Sequence, residues 1–410
     1  MKPTGPIPRG FAAIGGELAI GGRTASALVE EAGGTPLFVY SAGMIRRRVA
    51  ELRAAMPAGL RVHYALKANP LPPLLTLMRE VTDGFDIASG GELELALAAG
   101  QDAARISFAG PGKRDAELAA ALRHGATINL ESEGEARRAL ALAERLGMTP
   151  RLAIRVNPDF ELRGSGMKMG GGAKPFGVDQ ERVPALARAV IAAGAEWRGL
   201  HIFAGSQALD EGAVIETQAN VLELAARLAA EIDAPLPVLN LGGGFGIPYF
   251  HGDAPLDIGA VGDALGERMA AQPPELADTE LAIELGRWLV GEAGVYLTRI
   301  VDRKASHGVT FLVTDGGLHH QLAASGNFGT VVRRNYPVAI ASRFGAEAVE
   351  EVNIVGCLCT PLDRLAEQAM LPRAEEGDLV AVFCAGAYGA SASPSAFLAQ
   401  GPAREMLVHD

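Results

Sequence analysis

The run VLNLGGGFG, residues 238–246, is an apolar strand-like stretch that breaks into a glycine-rich turn, and its position in the chain decides the fold. In a dinucleotide-binding open sheet such a turn follows the first strand. Here six similar runs come before it: VHYA (62–65), FDI (85–87), ISF (106–108), INL (128–130), LAIRV (152–156) and LHIF (200–203). One more, LAIE (281–284), comes after it, which makes eight. The early runs stand roughly 22 residues apart, the spacing of βα units. Amphipathic stretches fill the gaps, among them GELELALAAG (91–100), DAELAAALRHG (115–125) and EARRALALAERLG (135–147), each ending in a glycine suited to a helix C-cap. Regular strand–helix alternation implies parallel pairing with right-handed crossovers. The expected fold is therefore α/β, a (β/α)8 TIM-type barrel over residues 38–280. Beyond it the texture changes to GVYLTRIVDRKA, GVTFLVTDGG, VEEVNIVGCLCT and DLVAVFCAGAYGA, with no long helices between. Residues 1–37 together with 281–410 are expected to form a second, mainly antiparallel β domain.

At 410 residues, 49% hydrophobic and 21% charged, the chain can bury a large core. Its net charge of -11 opposes sequence-independent nucleic-acid binding and a polybasic membrane anchor. No run is long enough for a membrane helix, and the N-terminus MKPTGPIPRG has no signal-peptide core. The expected location is the cytoplasm, which suits three cysteines, Cys357, Cys359 and Cys384, too few for a disulfide framework. The closely spaced Cys357 and Cys359 lack the second pair a zinc site needs, so no metal is expected.

Barrel chemistry collects where the strands end. That rule gathers Lys67, Asp86, Ser89, Arg155, His201, Ser206, Gly242 to Gly244, Glu284 and Arg287 at one mouth. Lys67, in HYALKANP (63–70), stands at the polar end of a strand, where lost hydration favours a neutral amine able to condense with an aldehyde. A snorkelling lysine is the plainer reading. The glycine run lies after the seventh strand, where barrels bind phosphate; a plain tight turn is the alternative reading. Ser206 and Arg287 could add donors to that phosphate. Glu284 could hold a proton on a pyridine nitrogen, or form a salt bridge with Arg287. An amine for an aldehyde, a phosphate cradle and an acid for a ring nitrogen together describe pyridoxal 5'-phosphate.

With these motifs in order, the chain resembles the fold-type III pyridoxal-phosphate decarboxylases, the group of diaminopimelate, ornithine and arginine decarboxylases. The motifs are YALKAN (64–69), FDIASGGE (85–92), GLHIFAGSQ (199–207), LGGGFG (241–246), ELGR (284–287), GCLCTPLD (356–363) and GAYGA (386–390). SFAGPGK (107–113), GSGMKMGGG (164–172) and TDGGLHHQLAASGNFG (314–329) are similar to the subgroup encoded with exosortase systems. The resemblance implies an alanine-racemase-like barrel, a carboxy-lyase activity on the α-carboxylate of an amino acid, and a Schiff base on Lys67. It implies cofactor contacts from Asp86, Arg155, His201, Phe203, Ser206, Gly243, Gly244, Glu284, Gly286, Arg287 and Tyr388. Cys359 corresponds to a general acid that protonates the α-carbon and crosses from the partner subunit, so a homodimer with shared active sites is implied. Arg287, His319, His320, Thr360, Asp363 and Tyr388 are the substrate-side candidates.

Three departures bear on the substrate. Phe203 stands where the family stacks a histidine on the cofactor, leaving His201 two residues early. Thr360 replaces the acid that follows the cysteine, and Ala323 replaces an arginine of diaminopimelate decarboxylases. An unpaired buried charge is costly, so free diamino acids fit poorly. An aminoacyl group tethered to a carrier protein is the alternative substrate. A racemase and a non-catalytic cofactor-binding protein are the remaining readings. His319 and His320 face either a different distal group or solvent, as a surface pair on the β domain.

Overall fold

The computed structural model describes residues 1–164, 166–326 and 333–409, without the side chains of Met167 and Lys168. Parts of two quoted motifs, Ser165 and Asn327 to Gly329, thus lie outside the described residues. Contacts divide the chain into two compact units, Val49–Gly246 with Leu256–Gly286, and Met1–Arg48 with Ile247–Pro255 and Arg287–Asp410. The dividing points expected from sequence fall inside strands: Leu37–Ser41 belongs to the second unit, and Glu280–Leu285 to the first.

The first unit is a closed parallel barrel of β1 (Arg61–Ala65), β2 (Gly84–Ile87), β3 (Ile106–Phe108), β4 (Thr127–Leu130), β5 (Arg151–Asn157), β6 (Glu196–Ile202), β7 (Val238–Gly243) and β8 (Glu280–Leu285). Each strand pairs with its successor in the chain, and β8 returns to β1, so all eight runs read from sequence are barrel strands. The helices between them are built as their sequences require. Ser89 and Ser132 accept the backbone N–H of Glu92 and Glu135 and so cap Gly90–Ala98 and Glu133–Leu146. Gly125 and Gly147 end their helices in left-handed geometry, at φ 78° and 65°. Ser89, placed at the mouth by its position after a strand, therefore serves a helix end.

The second unit holds a sheet of β9 (Gly294–Ser306), β10 (Val309–Thr314), β11 (Glu350–Val355), β12 (Arg364–Leu371) and β13 (Leu379–Val382), extended by Leu37–Ser41, Val338–Ile340 and Arg404–Val408. It is mixed rather than purely antiparallel. β10 pairs with β11 in parallel, and Leu37–Ser41 with Arg404–Val408 likewise. Parallel neighbours need a long crossover, which the chain between residues 314 and 350 supplies. The N-terminal residues make a small sheet of their own, Ala12–Ile14, Glu17–Ile20 and Arg23–Thr24. Leu18 and Ile20 pack into a core with Leu28, Val39, Val295, Leu297 and Phe383. Each such side chain contributes about 1.5–3 kcal/mol on full burial.

Candidate active site

The strand ends of the barrel bring three buried side chains together. Asp86 at the end of β2, His201 of β6 and Glu284 of β8 each place a ligand-type atom within 4.8 Å of the others. His201 Nε2 lies 2.8 Å from Glu284 Oε2, and Asn240 Nδ2 donates to the same oxygen at 3.2 Å. Two carboxylates this close in a dry site cannot both ionise cheaply. Burial and the neighbouring Glu284 push Asp86 well above the usual carboxylate range. Burial also opposes ionisation of Glu284, but His201, Lys67 and Arg155 outweigh it and bring its carboxyl down to about 2. The pair therefore divides its roles, one carboxyl protonated and one a fixed anion.

Lys67 sits just after β1 in the short turn Leu66–Ala68, exposed at the barrel rim. Its Nζ lies 5.3 Å from the centre of the Phe203 ring. Arg155, at the end of β5, pairs with Glu131 at 2.9 Å, and Glu131 also accepts the backbone N–H of Gly110 and Gly177. Arg155 thus acts on the carboxylate pair through its field, without a direct bond to either.

The glycines that end β7 and follow it are needed for close approach. A Cβ on Gly243 would stand 1.9 Å from the Glu284 carbonyl oxygen, and one on Gly244, at φ +81°, 2.3 Å from that of Gly205. The turn therefore lies directly against the Glu284 strand and against the Gly205–Ser206 segment. Gly286 is equally confined, with Ala68 Cβ 2.7 Å from its own added Cβ.

In the sheet unit, Arg287 Nη1 donates to the Tyr249 hydroxyl at 2.7 Å, and its guanidinium stacks 4.7 Å from the centre of the Tyr388 ring. Burial pushes the Tyr249 phenol up to about 12, so it remains a neutral partner. Tyr388 adopts φ 57°, a left-handed conformation that is uncommon for a side chain of its size. Cys359 is exposed and Thr360 half-buried.

The remaining substrate-side candidates are placed differently. Asp363 is buried, and its two oxygens accept the backbone N–H of Leu318 at 2.7 Å and Leu358 at 2.9 Å. It ties the Leu318 turn to its own loop. His319 and His320 are both buried, so neither belongs to the surface. His320 bonds Tyr296 and the Gly401 carbonyl, each at 3.0 Å. The His319 ring lies tilted against it, with ring centres 3.8 Å apart.

Sequence reasoning passed over Asn240, Glu131, Lys113 and Tyr249. Glu131 directly follows INL, so the strand-end rule that gathered Asp86 and Lys67 would have found it too. Asn240 lies two residues before Gly242 and faces inward by simple alternation.

The residues suit pyridoxal phosphate. In the barrel, Asp86 Oδ1 and His201 Nδ1 are buried without a hydrogen-bond partner, and in the sheet unit so is Arg287 Nε. Glu284 offers the anion that a protonated ring nitrogen requires. A family model described as the pyridoxal-binding domain of pyridoxal-dependent decarboxylases matches residues 42–291. The chain belongs to that family. The decarboxylase is 37% identical, over 91% of its length and 88% of the relative's, to the L-glutamyl-[BtrI acyl-carrier protein] decarboxylase of Niallia circulans. It is 34% identical to a diaminopimelate decarboxylase of Neisseria meningitidis, over 92% of its own length and 90% of that protein's. Among solved structures, the diaminopimelate decarboxylase of M. jannaschii in co-complex with L-lysine superposes with a TM-score of 0.85 at 27% identity, covering 99% of this chain and 93% of that one. The decarboxylase is thus a pyridoxal-phosphate-dependent carboxy-lyase. No helix among its described residues is long and apolar enough to cross a membrane.

Proposed function

We propose that this decarboxylase removes the α-carboxylate of an aminoacyl group carried as a thioester on a carrier protein. The observation that carries the catalytic part is the buried Asp86–His201–Glu284 triangle on the barrel face that also bears Lys67. Pyridoxal phosphate, when bound, supplies the electron sink for the pair left behind as CO2 departs. Lys67 would hold its aldehyde. Glu284, kept anionic by His201 and Lys67, would hold a proton on the ring nitrogen, and Phe203 would offer a face for stacking worth about 0.5–1.5 kcal/mol. Ser206, Gly243 and Gly244 would receive the phosphate. Cys359, exposed on its loop and contributed across a homodimer, delivers the proton to the α-carbon, help worth about 10²- to 10⁴-fold.

The substrate class rests on what the chain lacks. Thr360 and Ala323 leave no charge to match a distal ammonium or carboxylate, and a neutral thioester arm needs none. Similarity to a carrier-protein glutamyl decarboxylase supports this reading. The α-carboxylate must be free to leave, so the thioester must run through a side-chain carboxyl, which selects an acidic amino acid. The free diamino acid is the second reading, favoured by the diaminopimelate decarboxylases among the relatives. Three free cysteines, one of them buried, support a reducing cytoplasm.

Measuring CO2 release from a side-chain-linked glutamyl carrier thioester and from meso-diaminopimelate separates the two. The thioester is expected to turn over at least about tenfold faster in kcat/KM. Preference for the free diamino acid would overturn the substrate assignment and leave the cofactor chemistry intact.

A further inference from the structure

At the opposite end of the barrel from Lys67, the strands surround a cavity of about 250 Å³. Barrel interiors are ordinarily filled by layers of branched apolar side chains. Here the inward positions carry polar or small ones: His63, Ser107, Asn129 and Asn240, with Ala153 and Ala282 between them. The two alanines leave the space and the four polar residues line it. His63 is the register partner of Glu284 across β1 and β8, and Asn240 also bonds Glu284, so this layer forms the floor beneath the carboxylate site.

The entrance is ringed by Arg61, Arg105 and Arg198, with Asp83 and Glu280 as the acids. Arg61 engages both acids, Glu280 at 3.3 Å and Asp83 at 3.6 Å, and Arg53 adds a second cation to Asp83 at 2.6 Å. The acids are therefore spoken for. Arg198 reaches Glu196 through Nη1 at 3.2 Å, while its Nε is buried without a partner. Arg105 makes no side-chain ion pair among the described residues, and His63 Nδ1 is a further buried atom with no partner. A chain of net charge -11 thus places three arginines, one of them without an ion pair among the described residues, and two unsatisfied buried nitrogens on one polar cavity. Guanidinium N–H groups bind anionic oxygens in bidentate fashion.

We propose that this cavity is a binding site for a small oxyanion, a phosphate or a carboxylate, held by Arg198 and Arg105 at the entrance of the barrel floor. The site is independent of the substrate reading above, because none of its residues carries a role in that chemistry except Asn240, which closes its ceiling.

The test is calorimetric titration of the pyridoxal-phosphate-loaded enzyme with inorganic phosphate and, separately, with succinate. Loading the cofactor keeps phosphate out of the cofactor's own phosphate subsite. The expected result is one saturable site per chain, with Kd below about 1 mM for at least one probe. Arg198→Gln and Arg105→Gln should each weaken it by about tenfold or more. Arg105 is exposed, so its replacement keeps the test valid if Arg198→Gln misfolds. The better-held probe tells phosphate from carboxylate recognition. A cavity holding only water gives no saturable heat with either probe, and that result overturns the proposal. So does binding that Arg105→Gln leaves unchanged.

Discussion

Asp86 and Glu284 show how two like residues acquire different roles from their surroundings. Glu284 has His201 and Asn240 as partners, whereas Asp86 keeps an oxygen with none. Asp86 is therefore the group that keeps its proton in the folded state, and a pH dependence follows. Below its ordinary value of 3.8 both folded and unfolded chains carry the proton, and the residue costs nothing. As pH rises the unfolded chain ionises first, so the stability tied to the raised pKa is lost. Asp86→Asn cannot ionise and escapes that loss. Thermal unfolding at about pH 4 and about pH 7 should find the variant gaining on the wild type as pH rises. A difference that stays constant, or shrinks, contradicts the assignment of the proton to Asp86.

Lys113, Glu131, Glu135 and Arg155 form a buried charge cluster that joins the loops after β3, β4 and β5. Lys113 Nζ reaches the carbonyls of Gly110 and Asn129 and the Glu135 carboxylate at 2.7 to 2.9 Å, with its side chain only 1% exposed. Removing one member leaves a buried charge uncompensated, so Lys113→Met should cost about 3–5 kcal/mol in urea unfolding, and Lys113→Met/Glu135→Leu much less. A single-variant cost under about 1 kcal/mol would show that the cluster does not hold these loops. The cluster also marks where sequence reading stops. Eight strands, their order and the helix caps follow from periodicity and from glycine or serine at fixed offsets, which are local signals. Lys113 and Glu135 look like ordinary surface charges within their own segments. Only the parallel pairing of β3 with β4 makes them partners across 22 residues. For the same reason the contact of Asp363 with the backbone of Leu318, 45 residues away, was not legible. The parallel pairing of β10 with β11 was equally hidden, because a run of alternating residues does not state the direction of its neighbour.

At the scale of the whole molecule, the proposed homodimer makes its own prediction. If Cys359 serves the barrel of its partner, Lys67→Ala and Cys359→Ala chains are each defective, but a mixed dimer regains one intact site. Refolding the two together in equal amounts should restore about one quarter of wild-type formation of the correct product, since half the dimers are mixed and each has one good site of two. No recovery above the separate variants would place Cys359 and Lys67 of one chain in the same site, or deny the cysteine its role.

All of this depends on Lys67 being the residue that takes the cofactor. The direct measurement is borohydride reduction of the purified enzyme with bound pyridoxal phosphate, followed by peptide mapping by mass spectrometry. The account predicts the reduced vitamer on Lys67 and on none of the other five lysines, and no labelling in Lys67→Ala. A label on Lys113 or any other lysine, or no label in enzyme that still releases CO2, would contradict it.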